Sequence, residues 1–291
     1  MRFIHLKPRP AFARAWTCLG LGLQALPEFL TKGRWEWIWF RRRDKRRVER
    51  RRLPGGAYID CHLSEHYETW VWMRLLDALE LDVLKKLLRP GESFIDVGAN
   101  IGVWSLVAGS AVGRDGKVLA LEPSPETYPK LLHNLALNQG MTRWLPSQIA
   151  ADVQSGTVGF EVSDFSDCSC VTKTAKNAIQ VSSRTIDDLT CGERIAGMKI
   201  DVEGHEQAVV SGAKATIKEF HPWLCVEFNN RINQVDSLAD WTVDRTLREM
   251  GYSCWLFRDA LRSHATPSLR SSFFTSDYVN LFYRWSNGEE G

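Results

Sequence analysis

The sequence predicts an α/β protein whose mostly parallel sheet carries helices on both faces. Three observations point there. Residues 93–97 form an apolar run that ends in Gly98-Ala99-Asn100 and leads into an apolar-periodic segment, 101–112. That order reads as strand, tight turn, helix. Twenty residues past Gly102, a second apolar run, 117–122, closes on the carboxylate Glu122. Two more strand-like runs, 198–202 and 222–228, flank a segment of helical period and also lead into acids. Alternating strands and helices are the pattern of parallel crossovers.

The first turn carries the most chemistry. Gly98 and Gly102 lack a Cβ, so the backbone bends sharply and a ligand can come close. The helix that follows presents unpaired N–H groups and a partial positive charge, which suits an anionic group. From Asp96 to Gly102 the spacing is Asp-x-Gly-x-Asn-x-Gly. This is not the G-x-G-x-x-G of dinucleotide enzymes, which argues against a nicotinamide oxidoreductase. An acid at the tip of the second strand accepts hydrogen bonds from both ribose hydroxyls of a nucleoside. Turn and acid in one βαβ unit together indicate an adenosine-type ligand.

Asp96-Val-Gly-Ala-Asn-Ile-Gly102, Leu121-Glu-Pro-Ser-Pro125 and Lys199-Ile-Asp-Val-Glu-Gly-His-Glu206 together resemble the FkbM family of S-adenosylmethionine-dependent methyltransferases. The likeness covers roughly residues 67–284, its third stretch being the most specific, and nothing comparable covers the first 55 or so. It implies a Rossmann-like class I methyltransferase fold: a mostly parallel seven-stranded sheet, helices on both faces and an antiparallel last strand pair. It implies S-adenosyl-L-methionine as cofactor, with Glu68, Asp96, Gly98, Asn100, Gly102, Glu122 and Asp152 as cofactor-binding residues. Glu68 lies where the family places an acid near the donor's methionine end; a surface helix acid is the other reading. Asp152 falls where the family fold meets the adenine ring and could accept from its exocyclic amine, or it is a simple turn aspartate.

The chain of 291 residues is long enough for one large domain and an appendage, and 44% apolar with 25% charged residues is ordinary for a globular protein. A net charge of +2 hides a split: residues 1–55 hold 15 Lys+Arg and 4 acids, residues 56–291 hold 22 and 31. The expected division is therefore a basic, Trp-containing N-terminal extension, 1–55, and a methyltransferase domain, 56–291, separated at Leu53-Pro-Gly-Gly56. Seven scattered cysteines form no disulfide framework, and Cys168-Ser-Cys170 lacks the second pair a zinc site needs. Free thiols fit a reducing compartment, so the expected location is cytoplasmic.

Within the extension, the apolar run 15–26 is too short to span a bilayer and has a poor cleavage site for a signal peptide. Trp35, Trp37 and Trp39 precede an arginine-rich stretch, 41–52. Three readings stay open: peripheral attachment to an anionic membrane at its inner face, phosphate and base contacts to RNA, or a solvated helix or tail. The acidic remainder makes nucleic acid the less expected partner.

Further along, residues 67–88 carry a helical period that Pro90-Gly91 stops, 144–151 reads as a third strand, and 206–220 as one helix. The polar stretch 164–174 reads as a loop beside the cleft, a place where acceptor choice is set. In the fourth core strand Lys199 breaks an apolar pattern, and a buried ion pair with Asp96 or Glu227 is favoured over catalysis. Period two puts Lys199, Asp201 and Glu203 on one side, with Asp201 and Glu203 at the carboxyl end, where open α/β sheets bind ligands.

The resemblance implies O-methylation of a hydroxyl on a carbohydrate or natural product, and a lipid-linked sugar would bring the extension to a membrane. A hydroxyl acceptor needs a base, and the candidates in order are Asp201, Glu203 and His205. A divalent cation held by Asp201, Glu227 and Asn229 is the alternative to a metal-free site. An RNA methyltransferase is the alternative function.

Overall fold

The computed structural model describes residues 47–74, 76–162, 169–172, 178–256 and 278–286. Most of the basic extension and most of the loop expected over 164–174 lie outside the described residues.

The chain opens with a hairpin. Strands β1 (Val48–Arg52) and β2 (Tyr58–His62) pair antiparallel around residues 53–57. Gly55 and Gly56 take φ of +91° and +97° there, a region costly for residues with a Cβ. The Pro-Gly-Gly turn that marks the expected boundary is thus a hairpin turn, and the last arginines of the extension lie in a strand. Helices α1 (His66–Trp72) and α2 (Ala78–Leu87) follow.

The main sheet is built from β3 (Ser93–Val97), β4 (Lys117–Leu121), β5 (Arg143–Ser147), β10 (Gly197–Ile200), β11 (Trp223–Asn229), β12 (Tyr252–Leu256) and β13 (Tyr278–Trp285). Its order is β12-β13-β11-β10-β3-β4-β5. The five strands from β5 to β11 are parallel, and β13 runs against both neighbours, so β12 points with the parallel set. This is the expected seven-stranded sheet, with β13 as its one reversed strand. A smaller sheet, β6 (Ala150–Ala151), β7 (Gly156–Glu161), β8 (Cys170–Val171) and β9 (Ile179–Arg184), has the order β6-β9-β7-β8.

Two apolar layers cover the main sheet. Phe94, Val118 and Ala120 face α1, α2, α3 (Val103–Val112) and α4 (Tyr128–Ala136). Ile95, Val97, Met198 and Ile200 face α5 (Ile186–Thr190), α6 (Glu206–Ser211), α7 (Lys214–Phe220) and α9 (Thr242–Glu249). The short α8 (Asn230–Asn233) follows β11. Alternating sides along each strand give both layers from period two alone.

Four elements differ from the sequence expectation, each for a local reason, the first being Cys170–Val171, which pairs with β7 inside the stretch expected as a loop. The helix expected over 67–88 breaks between α1 and α2, where Arg74 and Asp77 take left-handed φ of 56° and 49°. The helix expected over 206–220 breaks at Gly212, where a Cβ would overlap the carbonyl of Asp152. The third strand expected over 144–151 splits, because Ser147 ends the pairing with β4 and Ala150–Ala151 leaves to pair with β9.

Candidate active site

The site lies at the carboxyl ends of β3, β4, β10 and β11. Glu122, immediately past β4, is buried, and both its oxygens accept backbone N–H groups: Oε2 from Asn100 and Oε1 from Ser124, each at 2.9 Å. Asn100 meets it from a left-handed conformation, φ 50°. Burial pushes the Glu122 carboxyl up to about 7, with the two N–H donors opposing that shift. Each oxygen keeps a further lone pair, so the group can still receive hydroxyls.

The two motif glycines bend the chain as expected, and each also has a packing part. A Cβ on Gly98 would overlap the carbonyl oxygen of Asp201, and one on Gly102 would meet the Leu131 side chain at 2.8 Å. Each also has positive φ, 78° and 94°. The space of their missing side chains is filled by protein: Gly98 lets the backbone just past β10 pack against the turn after β3, and Gly102 lets α4 close on the start of α3. The turn is held by N–H groups of Gly98 and Ala99 that donate to Leu121 O at 3.0 and 2.9 Å.

Beyond β10 lies a charged cluster. Lys199 Nζ donates to Asp201 Oδ2 at 2.5 Å, and the ammonium sits 5.3 Å from the Trp104 ring centroid. The expected partners were Asp96 or Glu227, and the ion pair forms instead with the next residue on the same side of the strand. Asp96 is the register neighbour of Lys199 across β3 and β10. Its Oδ2 accepts from Ser105 Oγ at 2.6 Å, while its buried Oδ1 has no partner among the described residues. Burial raises the Asp96 carboxyl, with Lys199 opposing. Burial works to lower the Lys199 ammonium, yet Asp201, Asp96 and Asp77 together hold it well above its usual range.

Asp201, Glu203 and Glu227 converge, with one oxygen of each within 4.8 Å of the others. Glu227 is 2% exposed, and burial followed by the charges of Asp201 and Glu203 raises its carboxyl well above the usual range. Asn229, at the end of the same strand, has its Oδ1 accepting from Arg231 N–H at 3.2 Å and caps α8.

The remaining predicted residues sit at the margins. His205 Nε2 lies 3.1 Å from Asp152 Oδ1, which also accepts from Val153 N–H at 2.6 Å. Asp152 is thereby tied to the residue that starts α6, and His205 lies outside the three-carboxylate group. Glu68 is fully buried, not a surface acid: Oε2 accepts from His62 N–H at 2.5 Å and Oε1 pairs with Lys130 Nζ at 2.7 Å, tying β2 and α1 to α4.

Asp77 and Tyr67 escaped sequence reasoning. Asp77 Oδ2 accepts from Trp104 Nε1 at 2.8 Å and Oδ1 from Asn280 Nδ2 at 3.4 Å. Burial raises its carboxyl, with Lys199 opposing. Tyr67, partly buried, also faces Lys199, Asp77 and Asp201 electrostatically. A helical period running through 67–88 gave no hint that the chain breaks there and turns Asp77 inward.

Comparison with known proteins bears on this arrangement. The methyltransferase FkbM domain matches residues 96–254. The chain is 49% identical over 82 residues to ribosomal RNA large subunit methyltransferase E of Azoarcus sp. (strain BH72), covering 26% of this chain and 40% of that protein. It is 25% identical over 141 residues to protein-L-isoaspartate O-methyltransferase 1 of Arabidopsis thaliana, covering 48% of this chain and 60% of that one. The chain thus spans less than two thirds of either relative. Among solved structures, methyltransferase FkbM from Methylobacillus flagellatus KT aligns with TM-score 0.42 and 16% identity, over 75% of this chain and 54% of that one. Aeropyrum pernix fibrillarin, in complex with S-adenosyl-L-methionine, aligns with TM-score 0.41 and 13% identity over 84% of each.

Proposed function

The chain belongs to the FkbM methyltransferase family, and on that premise we propose that it is an O-methyltransferase acting on a hydroxyl of a carbohydrate or natural-product acceptor. Its donor is S-adenosyl-L-methionine, which supplies an electrophilic methyl group on a cationic sulfonium. One observation carries the proposal: the Asp201, Glu203 and Glu227 carboxylates converge just past β10, and the Asp201 backbone packs against Gly98 at the donor-binding turn. Acids beside a turn of this kind suit both a cationic donor and a hydroxyl acceptor.

Each residue's part follows from its position. Glu122 receives the ribose hydroxyls while its backbone contacts hold the turn. Asp201 is our first choice of base, ahead of Glu203 and His205, because Lys199 fixes its carboxylate in one orientation. Alignment of the reacting atoms supplies the larger share of the acceleration, about 7–11 kcal/mol where geometry is ideal. A positioned base adds about 10²–10⁴-fold. Lys199, braced by Asp96 and Asp77, keeps the carboxylate from turning away.

A second reading, methylation of RNA, draws on the 15 Lys+Arg of residues 1–55 and on relatives that are ribosomal RNA methyltransferases. Under the first reading those residues hold the enzyme at the anionic inner face of a membrane, where each basic charge adds about 1 kcal/mol. No helix among the described residues is long and apolar enough to cross a membrane.

The test is transfer of labelled methyl from S-adenosyl-L-methionine to glycan, lipid-linked sugar, polyphenol and ribosomal RNA pools. Label in an acid-stable methyl ether on a sugar or phenol supports the proposal. Label confined to RNA, falling steeply with salt, replaces it with the second reading.

A further inference from the structure

We propose that Asp201, Glu203 and Glu227 bind a divalent cation that takes the acceptor's hydroxyl oxygen as a further ligand. The proposal rests on the acceptor reading of the β10 and β11 tips given above.

Geometry is the first support. One oxygen from each carboxylate falls within 4.8 Å of the other two. Hard cations prefer oxygen donors, and opposite ligands on an ion with bonds of about 2.3–2.6 Å stand roughly 5 Å apart. The three acids come from two elements: Asp201 and Glu203 from the segment after β10, Glu227 from within β11. Glu227 is also fixed by register, opposite Asn280 of β13.

The second support is independent of the clustering. Glu227 is 2% exposed, and its Oε2 is buried with no hydrogen-bond partner among the described residues. A buried polar atom left unpaired is rare and costly. A metal ion satisfies that oxygen and offsets the mutual repulsion of the three carboxylates. Lys199 already holds Oδ2 of Asp201, which leaves that carboxylate a second oxygen for coordination.

Three protein ligands do not fill the shell of a cation that takes six to eight. The open positions accept oxygens from the acceptor or from water. A hydroxyl bound there is more acidic than a free one; its proton passes to Asp201 Oδ2, the oxygen of that carboxylate not on the cation, while the O–CH3 bond forms, the donor's S–CH3 bond breaks and S-adenosyl-L-homocysteine leaves. Acceptors with two neighbouring oxygens, such as vicinal diols, can occupy two positions and are the favoured class.

Mn²⁺ is the probe. The full chain, without donor or acceptor, is titrated with Mn²⁺ and followed by electron paramagnetic resonance, with Ca²⁺ and Mg²⁺ as competitors. We expect one saturable site per chain, weakened at least about tenfold in Glu227→Gln and in Glu203→Gln. Thermal melts check that each variant folds; if Glu227→Gln does not, Glu203→Gln decides. No saturable binding by wild type up to about 1 mM, or equal affinity in the folded variants, overturns the proposal and leaves the three acids sharing protons. Calorimetry with S-adenosyl-L-methionine on the same wild-type sample separates the two claims. Donor binding without Mn²⁺ binding sinks only the metal site, whereas no donor binding sinks the methyltransferase reading beneath it.

Discussion

The carbonyl oxygen of Asp201 occupies the space that a Cβ on Gly98 would need. The donor turn and the candidate base are therefore in direct backbone contact, through strand ends that are neighbours in the sheet. A backbone displacement at one moves the other, whereas a side-chain exchange at Asp201 does not.

Gly98→Ala tests that link. The substitution adds a Cβ at φ 78° and drives it into Asp201. Strain of about 1–3 kcal/mol from the conformation alone comes on top of the overlap. Expected results are a lower melting temperature and loss of both donor affinity and turnover. Gly91→Ala has the same sign of φ, 85°, with open space around it, so it is the control: some stability lost, donor affinity kept.

Lys199→Met removes the ammonium that pairs with Asp201 and offsets the charges of Asp96 and Asp77. Breaking a buried ion pair from one side costs about 3–5 kcal/mol, read by denaturant titration. Pairing it with Asp96→Asn recovers part of the loss, because one of the stranded carboxylates is then gone.

The Glu122 and Glu206 carboxyls are both pushed up to about 7, chiefly by burial. Their folded values lie above the usual carboxylate range, so their stabilising share is full in acid and is lost as pH rises through about 7. The donor-free protein should thus gain thermal stability between pH 8 and 6, and Glu122→Gln should flatten part of that gain. Ribose hydroxyls donate to the ionised carboxylate, so donor binding near pH 7 should release protons. Calorimetry in two buffers of different ionisation heat measures that release, and Glu122→Gln should abolish it.

The choice of base is separable. Asp201→Asn should lower kcat by about 10²–10⁴-fold with donor affinity little changed. His205→Gln breaks only the contact with Asp152 and should cost far less. The reverse ranking would move the base to His205.

Much of this arrangement is legible in the sequence. Gly98, Asn100, Gly102 and Glu122 stand out because strand, turn and acid follow one another within a single βαβ unit, a local pattern. Asp201 and Glu203 stand out because period two carries the Lys199 side to the strand's carboxyl end. What stayed hidden depends on contacts between distant segments. Asp77 reaches Trp104 only because the chain breaks between α1 and α2, and an apolar period of 3.6 running through both helices conceals the break. Glu68 and Asp152 carry acids at positions the family uses, but their partners, Lys130 and His205, are 62 and 53 residues away. The packing share of Gly98 stayed hidden for the same reason: what fills the space of its missing Cβ is the main chain of Asp201, a hundred residues on.

The most direct test of the account is isothermal titration of S-adenosyl-L-methionine, and separately of NAD, into wild type and Glu122→Ala. The account predicts that wild type binds the methyl donor and not NAD, and that the variant loses at least about tenfold in affinity, or 1.4 kcal/mol. Binding of NAD alone, or a donor affinity indifferent to Glu122, would contradict it.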